Sequence, residues 1–175
     1  RTREMKYIIV STKTTSGTRL LPMESDVKEA FLRILKNISR HIYMLESIED
    51  NEKWGRYTFL GYDPKLELAC VKGKMTIKNG TTIEMDISHP GKMIKKILAD
   101  YRSPKLEHLP PFTGGLVGYF AYDYICYAEP SLKLQAKDEE NFKDVDLMLF
   151  DKVIAFDNYR QKIVCIVNAK TEDID

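Results

Sequence analysis

The chain has 175 residues, 43% of them apolar and 30% charged, a composition that supports a folded core and excludes a disordered or fibrous polypeptide. Its 27 basic residues against 26 acidic ones leave a formal net charge of +1, so no global field draws nucleic acid or anionic lipid. No apolar run approaches the roughly 18 residues of a membrane-spanning helix, and Arg1 to Lys6 lack the apolar core of a secretory signal, so a cytoplasmic location without membrane partners is expected.

Tyr7-Ile8-Ile9-Val10 reads as a short strand, and Ser11 to Thr18, rich in Ser, Thr and Gly, as a loop. From Ser25 the period changes. Val27, Ala30, Phe31, Ile34, Leu35 and Ile38 recur at steps of three and four, which predicts an amphipathic helix capped by Ser25 or Asp26. His41 to Glu46 is a candidate strand and Ser47 to Lys53 a polar loop. Tyr57 and Phe59, then Leu66, Leu68 and Cys70, then Met75 and Ile77, and after Asn79-Gly80 Ile83, Met85 and Ile87, alternate with polar residues. Such alternation around an Asn-Gly turn predicts an antiparallel meander with one wet face.

Ser88-His89-Pro90 opens a second predicted helix with an apolar stripe of Met93, Ile94, Ile97, Leu98 and Tyr101, ended by Ser103-Pro104. Its basic residues Lys92, Lys95 and Lys96 read as a solvated face. Gly114 to Asp123 is an apolar strand carrying three glycines, as expected where another backbone or a partner approaches closely. Residues 128–144 are charged and irregular or partly helical. Leu147 to Phe156 and Lys162 to Val167 read as two strands joined through Asp157-Asn158-Tyr159-Arg160. The expected class is α+β, mainly antiparallel sheet in a sandwich-like arrangement with flanking helices, forming a single domain over residues 1–175.

Cys70, Cys126 and Cys165 are odd in number, far apart and set in apolar or aromatic stretches, which favours buried thiols over a disulfide framework. His41, His89 and His108 are scattered without metal-ligand spacing, so no metal site and no cofactor are expected in this chain. The glycines at 114–118 lie inside a strand pattern and lack the GxxxxGK[ST] signature of a phosphate loop. Glu139-Glu140, and Asp144 with Asp146, sit in polar surroundings that would not raise a carboxyl pKa for acid–base work. No residue of the chain reads as catalytic.

Tyr43-Met44-Leu45-Glu46-Ser47, followed after a short loop by Trp54-Gly55-Arg56-Tyr57-Thr58-Phe59-Leu60-Gly61, supports two readings. In one, Leu45 packs in the core and Arg56 pairs with a carboxylate. In the other, the cluster holds a zwitterion: Glu46 receives an ammonium, Ser47 and backbone N–H groups receive a carboxylate, and aromatic surface receives a side chain.

Leu45-Glu46-Ser47 with Gly55 to Gly61 resembles the "LLES…GRYSFIG" region of anthranilate synthase component I, and Gly114 to Asp123 is similar to that family's "GGLVGYFGYD" segment, with Ala128-Glu129-Pro130 at its "x-E-P". The resemblance implies the N-terminal, non-catalytic portion of a chorismate-using enzyme of tryptophan biosynthesis, a lyase, here a piece ending in a polar linker. It further implies a C-terminal domain, outside this chain, that binds chorismate and Mg2+, and a glutamine amidotransferase partner, component II, that supplies ammonia. The family's L-tryptophan feedback site then falls on Glu46 and Ser47, with Leu45, Trp54, Gly55, Arg56 and Tyr57 lining the pocket. Two other readings are the corresponding domain of aminodeoxychorismate synthase, which Glu46 disfavours because those enzymes often lack that Glu, and a free-standing amino-acid-binding or interaction domain.

Overall fold

A computed structural model describes residues 25–46, 55–132 and 139–170. The expected strand at Tyr7–Val10, and the side chains of Ser25 and Asp26 expected to cap the first helix, lie outside what is described. In chain order the elements are α1 (Ser25–Ile38), β1 (Ile42–Leu45), β2 (Tyr57–Tyr62), β3 (Leu66–Val71), β4 (Lys74–Asn79), β5 (Thr81–Asp86), α2 (Pro90–Ala99), β6 (Gly115–Phe120), a 3-10 turn (Tyr122–Tyr124), α3 (Ile125–Ala128), β7 (Val145–Phe150), β8 (Lys152–Asp157) and β9 (Lys162–Val167). The class is α+β with antiparallel sheets, as the alternation patterns indicate. Among the described residues no helix is long and apolar enough to cross a membrane. The chain divides into two compact units, and each has its own sheet.

The first unit comprises Lys65–Arg102 and Gly115–Leu149. Its sheet has the order β5-β4-β3-β7-β6. The expected meander is present in β3, β4 and β5, with Asn79 opposite Thr81 across the Asn-Gly turn. Leu66, Leu68 and Cys70 of β3 and Val145, Leu147 and Leu149 of β7 are buried on one face, with Met75 of β4 and Ile94 of α2 against them. The β3–β4 turn places both Lys72 and Gly73 at positive φ, 48° and 79°, which suits glycine but not lysine. It is held from outside the hairpin. The Gly73 N–H donates to the Tyr127 hydroxyl at 2.7 Å, that hydroxyl donates to Asp144 at 2.6 Å, and the Lys72 N–H donates to the same carboxylate at 2.7 Å.

The second unit contains α1, β1 and β2, the Ser103–Gly114 connector, and β8 with β9. Its sheet runs β1-β2-β8-β9, each neighbouring pair antiparallel. On one face Leu60, Ile154 and Phe156 pack with Leu35 of α1, and Val27, Phe31 and Leu32 extend that contact. Phe31 meets Phe156 edge to face at 5.5 Å. Elsewhere in the unit, Tyr43 packs edge-on against Phe150 at 4.7 Å and Phe112 at 6.3 Å, and Phe59 meets Phe112 at 5.6 Å. Gly61, opposite Tyr43 in the β1–β2 ladder, leaves room for that ring, because a Cβ there would lie 2.0 Å from it.

Four expectations are corrected. The apolar run Leu147 to Phe156 is two strands, β7 and β8, divided at Asp151 and belonging to different sheets; an unbroken apolar pattern carries no mark of a change in partner. Thr58 and Leu60, not Tyr57 and Phe59, are the fully buried side chains of β2. The stripe of α1 that packs is Val27, Phe31, Leu32 and Leu35, leaving Ile34 and Ile38 exposed. Of the three free cysteines only Cys70 is buried, and Cys165 is exposed.

One glycine of β6, Gly118, does face a backbone. A Cβ on Gly118, at φ +153°, would lie 1.9 Å from the carbonyl oxygen of Asp146 on the neighbouring β7, so Gly118→Ala must part the two strands. At Gly80, φ +69°, nothing lies within 4 Å. We expect Gly118→Ala to destabilise the protein by about 3 kcal/mol through overpacking, and Gly80→Ala by only ~1 kcal/mol through its left-handed backbone. Paired urea unfolding curves check this; equal shifts would refute the close approach.

Candidate functional site

Glu46 follows the last residue of β1, and the β1–β2 ladder sets Leu45 opposite Phe59. That register brings the Glu46 carboxylate to Thr58, whose hydroxyl donates to Oε1 at 3.2 Å. Lys28, from the first turn of α1, donates to the same oxygen. Hydrogen bonding from Lys28 holds the Glu46 carboxyl below the usual carboxylate range; partial burial opposes this and is outweighed once the Lys28 charge and the Thr58 hydroxyl are added. Glu46 is therefore anionic at neutral pH, and its side chain remains 36% exposed. It is a fixed negative charge at an open strand end, suited to receive an ammonium group.

Beneath it Thr58 is wholly buried. Its hydroxyl oxygen accepts from the Asn158 amide at 3.3 Å, and that amide also donates to the Gly55 carbonyl at 3.0 Å. The Asn158 backbone N–H donates to the Arg56 carbonyl at 2.7 Å. Glu46, Thr58, Asn158 and the Gly55-Arg56 backbone thus form one connected polar network.

Arg56 is committed elsewhere. Its guanidinium grips Asp157 in a fork, Nε to Oδ1 at 3.0 Å and Nη2 to Oδ2 at 2.7 Å, and lies over the rings of Tyr57 at 4.8 Å and Tyr159 at 5.8 Å. Burial pushes the Asp157 carboxyl up, but the hydrogen bonds from Arg56 and the Arg160 N–H overcome it and leave it below its ordinary value. Arg56 is thus paired with a carboxylate, as one of the two readings expects.

No protein-family model matches the chain. Whole-protein relatives do. The chain is 33% identical over 171 residues to anthranilate synthase component 1 of Acinetobacter calcoaceticus, covering 91% of this chain and 34% of that protein. It is 38% identical over 128 residues to that of Acetivibrio thermocellus, covering 72% and 26%, and 34% identical over 134 residues to that of Saccharomyces cerevisiae, covering 75% and 24%. The chain belongs to the anthranilate synthase component I family. Its fold is similar to that of the crystal structure of anthranilate synthase component I from Streptococcus pneumoniae TIGR4, with a TM-score of 0.53, 22% identity, and coverage of 95% of this chain and 34% of that one. The chain spans about a third or less of the length of these relatives.

The described candidate residues share one region of the second unit. Glu46 is at its polar centre, Leu45 beside it is 48% exposed, Gly55 is buried, and Tyr57 stacks on Phe59 at 5.7 Å. Ser47 and Trp54 lie outside the described residues. Three participants escaped sequence reasoning. Lys28 stood in a helix whose apolar stripe drew attention away from its polar side, Thr58 was masked by the flanking aromatics, and Asn158 lay in a turn about a hundred residues downstream. Only the Asp157-Asn158 pair, two turn-forming residues at a strand end, offered a local signal.

The Asp157 pKa has a consequence for stability. A carboxyl whose pKa is depressed by folding contributes stability above its unfolded pKa, and that contribution is lost as the pH falls through the folded value. Asp157→Asn should therefore lower the melting temperature most at neutral pH, with the gap from wild type narrowing between about pH 5 and pH 2. Thermal melts across that range check it; a constant gap would show that the pair does not titrate with folding.

Proposed function

We propose that this chain is the N-terminal portion of an anthranilate synthase component I and contributes part of an L-tryptophan feedback site. The observation that carries the reading is the Glu46 carboxylate, ionised, held at an exposed strand end by a polar network, and placed within the segment whose motif matches the family. In the proposed assignment Glu46 receives the tryptophan ammonium and Ser47 its carboxylate, with Leu45, Trp54, Gly55 and Tyr57 shaping the pocket and Arg56 holding the Gly55-Arg56 segment in place through Asp157. The parent enzyme converts chorismate, with ammonia from glutamine supplied by component II, to anthranilate and pyruvate. Chorismate and Mg2+ are assigned to a C-terminal domain beyond these residues, and this chain alone is proposed to be inactive and cytoplasmic.

Feedback is a coupling free energy between two sites, of about 1–3 kcal/mol. A residue that touches only the inhibitor can therefore be changed without loss of the chemistry. In the full-length enzyme, Ser47→Phe should fill the pocket and abolish tryptophan inhibition while the uninhibited rate stays close to that of wild type. Glu46→Ala should act in the same direction, losing a charged hydrogen bond worth roughly 1.5–3 kcal/mol. Steady-state rates against tryptophan concentration decide the matter. Unchanged inhibition curves for both variants would remove the site from these residues, and a joint fall in rate and melting temperature with inhibition retained would mark them as packing residues.

A further inference from the structure

Lys28 carries a cation where helix electrostatics disfavour one. α1 begins at Ser25, so Lys28 lies in its first turn, at the positive end of the helix dipole. Its side chain is only 16% exposed. Among the described residues its ammonium has one partner, Oε1 of Glu46, the oxygen that also accepts from Thr58. Oε2 of Glu46 carries no such bond among the described residues, and the Glu46 side chain is more open to solvent than Lys28. Among the described residues the carboxylate is thus bound on one oxygen by an internal ammonium and open on the other.

We propose that Lys28 is a built-in counter-ion that competes with the α-ammonium of an amino-acid ligand for Glu46 and so weakens and tunes binding at this site. The proposal rests on the reading of Glu46 as the ammonium receptor. The physical ground is that a carboxylate already neutralised by one cation attracts a second less strongly, and the two cations, held on one small anion, repel each other. Ligand binding then requires Lys28 either to share Glu46 or to leave it for solvent. The competition falls on ligands that carry the ammonium and spares uncharged analogues of the same shape. A purely structural Lys28, one that only orients Glu46, makes the opposite demand: its removal would loosen the carboxylate and weaken binding.

The test uses the full-length protein and calorimetry with two probes, L-tryptophan and indole-3-propionate, which lacks the ammonium group. Lys28→Met keeps the apolar stem packed and removes the charge; Lys28→Gln repeats the neutralisation should the Met variant fold poorly, and Lys28→Arg keeps the cation. Both neutral variants should bind L-tryptophan about five- to tenfold more tightly than wild type, bind indole-3-propionate no more tightly, and differ in this from Lys28→Arg. Unchanged or weaker tryptophan binding in the neutral variants overturns the proposal. Glu46→Gln separates the two levels of inference. If Glu46→Gln retains wild-type tryptophan affinity, the ammonium assignment itself fails; if it loses tryptophan while the neutral Lys28 variants do not tighten, only the role of Lys28 fails.

Discussion

The pairing of β2 with β8 is the constraint on which the second unit depends. Tyr57 to Gly61 meet Asp157 to Val153 in antiparallel register across nearly a hundred residues of sequence. That register has two consequences at once. It stacks Leu60 and Phe156 into the core under α1, and it brings the Asp157-Asn158 turn beside Gly55 and Arg56, where the guanidinium fork and the Asn158 amide close the strand ends. A slip of one residue would turn Thr58 and Leu60 to the opposite face and break both.

The polar network at Glu46 follows from that register. A buried hydroxyl left without partners is costly, and Thr58 is wholly buried. It is satisfied by accepting from Asn158 on one side and donating to Glu46 on the other. The carboxylate is therefore oriented by the sheet interior rather than by solvent. Lys28 adds the helix to the same network, so α1 and β2 meet at the carboxylate that follows β1, and the turn after β8 is linked to it through Thr58. Such a junction suits a binding site, because displacement of any one element is felt at the carboxylate.

The first unit is built on a different principle. Its core is an ordinary alternation of apolar residues on β3 and β7, closed by Met75 and Ile94, and its special chemistry is spent on backbone geometry. Tyr127 and Asp144 fasten the strained Lys72-Gly73 turn, and Gly118 admits the Asp146 carbonyl where any side chain would collide. Gly118 of the glycine-rich motif is therefore accounted for by strand packing.

Much of the fold was legible in the sequence because it is local. The period of α1, the alternation of β3 to β5 around Asn79-Gly80, the start of α2 at Pro90 and the β8–β9 hairpin all depend on residues close in the chain. The family motif likewise singled out Glu46 and the 55–61 segment. What the sequence left open is what depends on distant partners. Whether Tyr57 or Thr58 faces inward is decided by which strand lies alongside, and the division of Leu147–Phe156 at Asp151 by the two sheets competing for it. Lys28 and Asn158 acquire meaning only when folding brings them, from 18 residues upstream of Glu46 and 100 residues downstream of Thr58, to a single oxygen and the hydroxyl that serves it. Local periodicity specifies an element and its apolar face; only the tertiary register decides which polar groups meet, because a hydrogen bond depends on distances of tenths of an ångström that spacing along the chain does not encode.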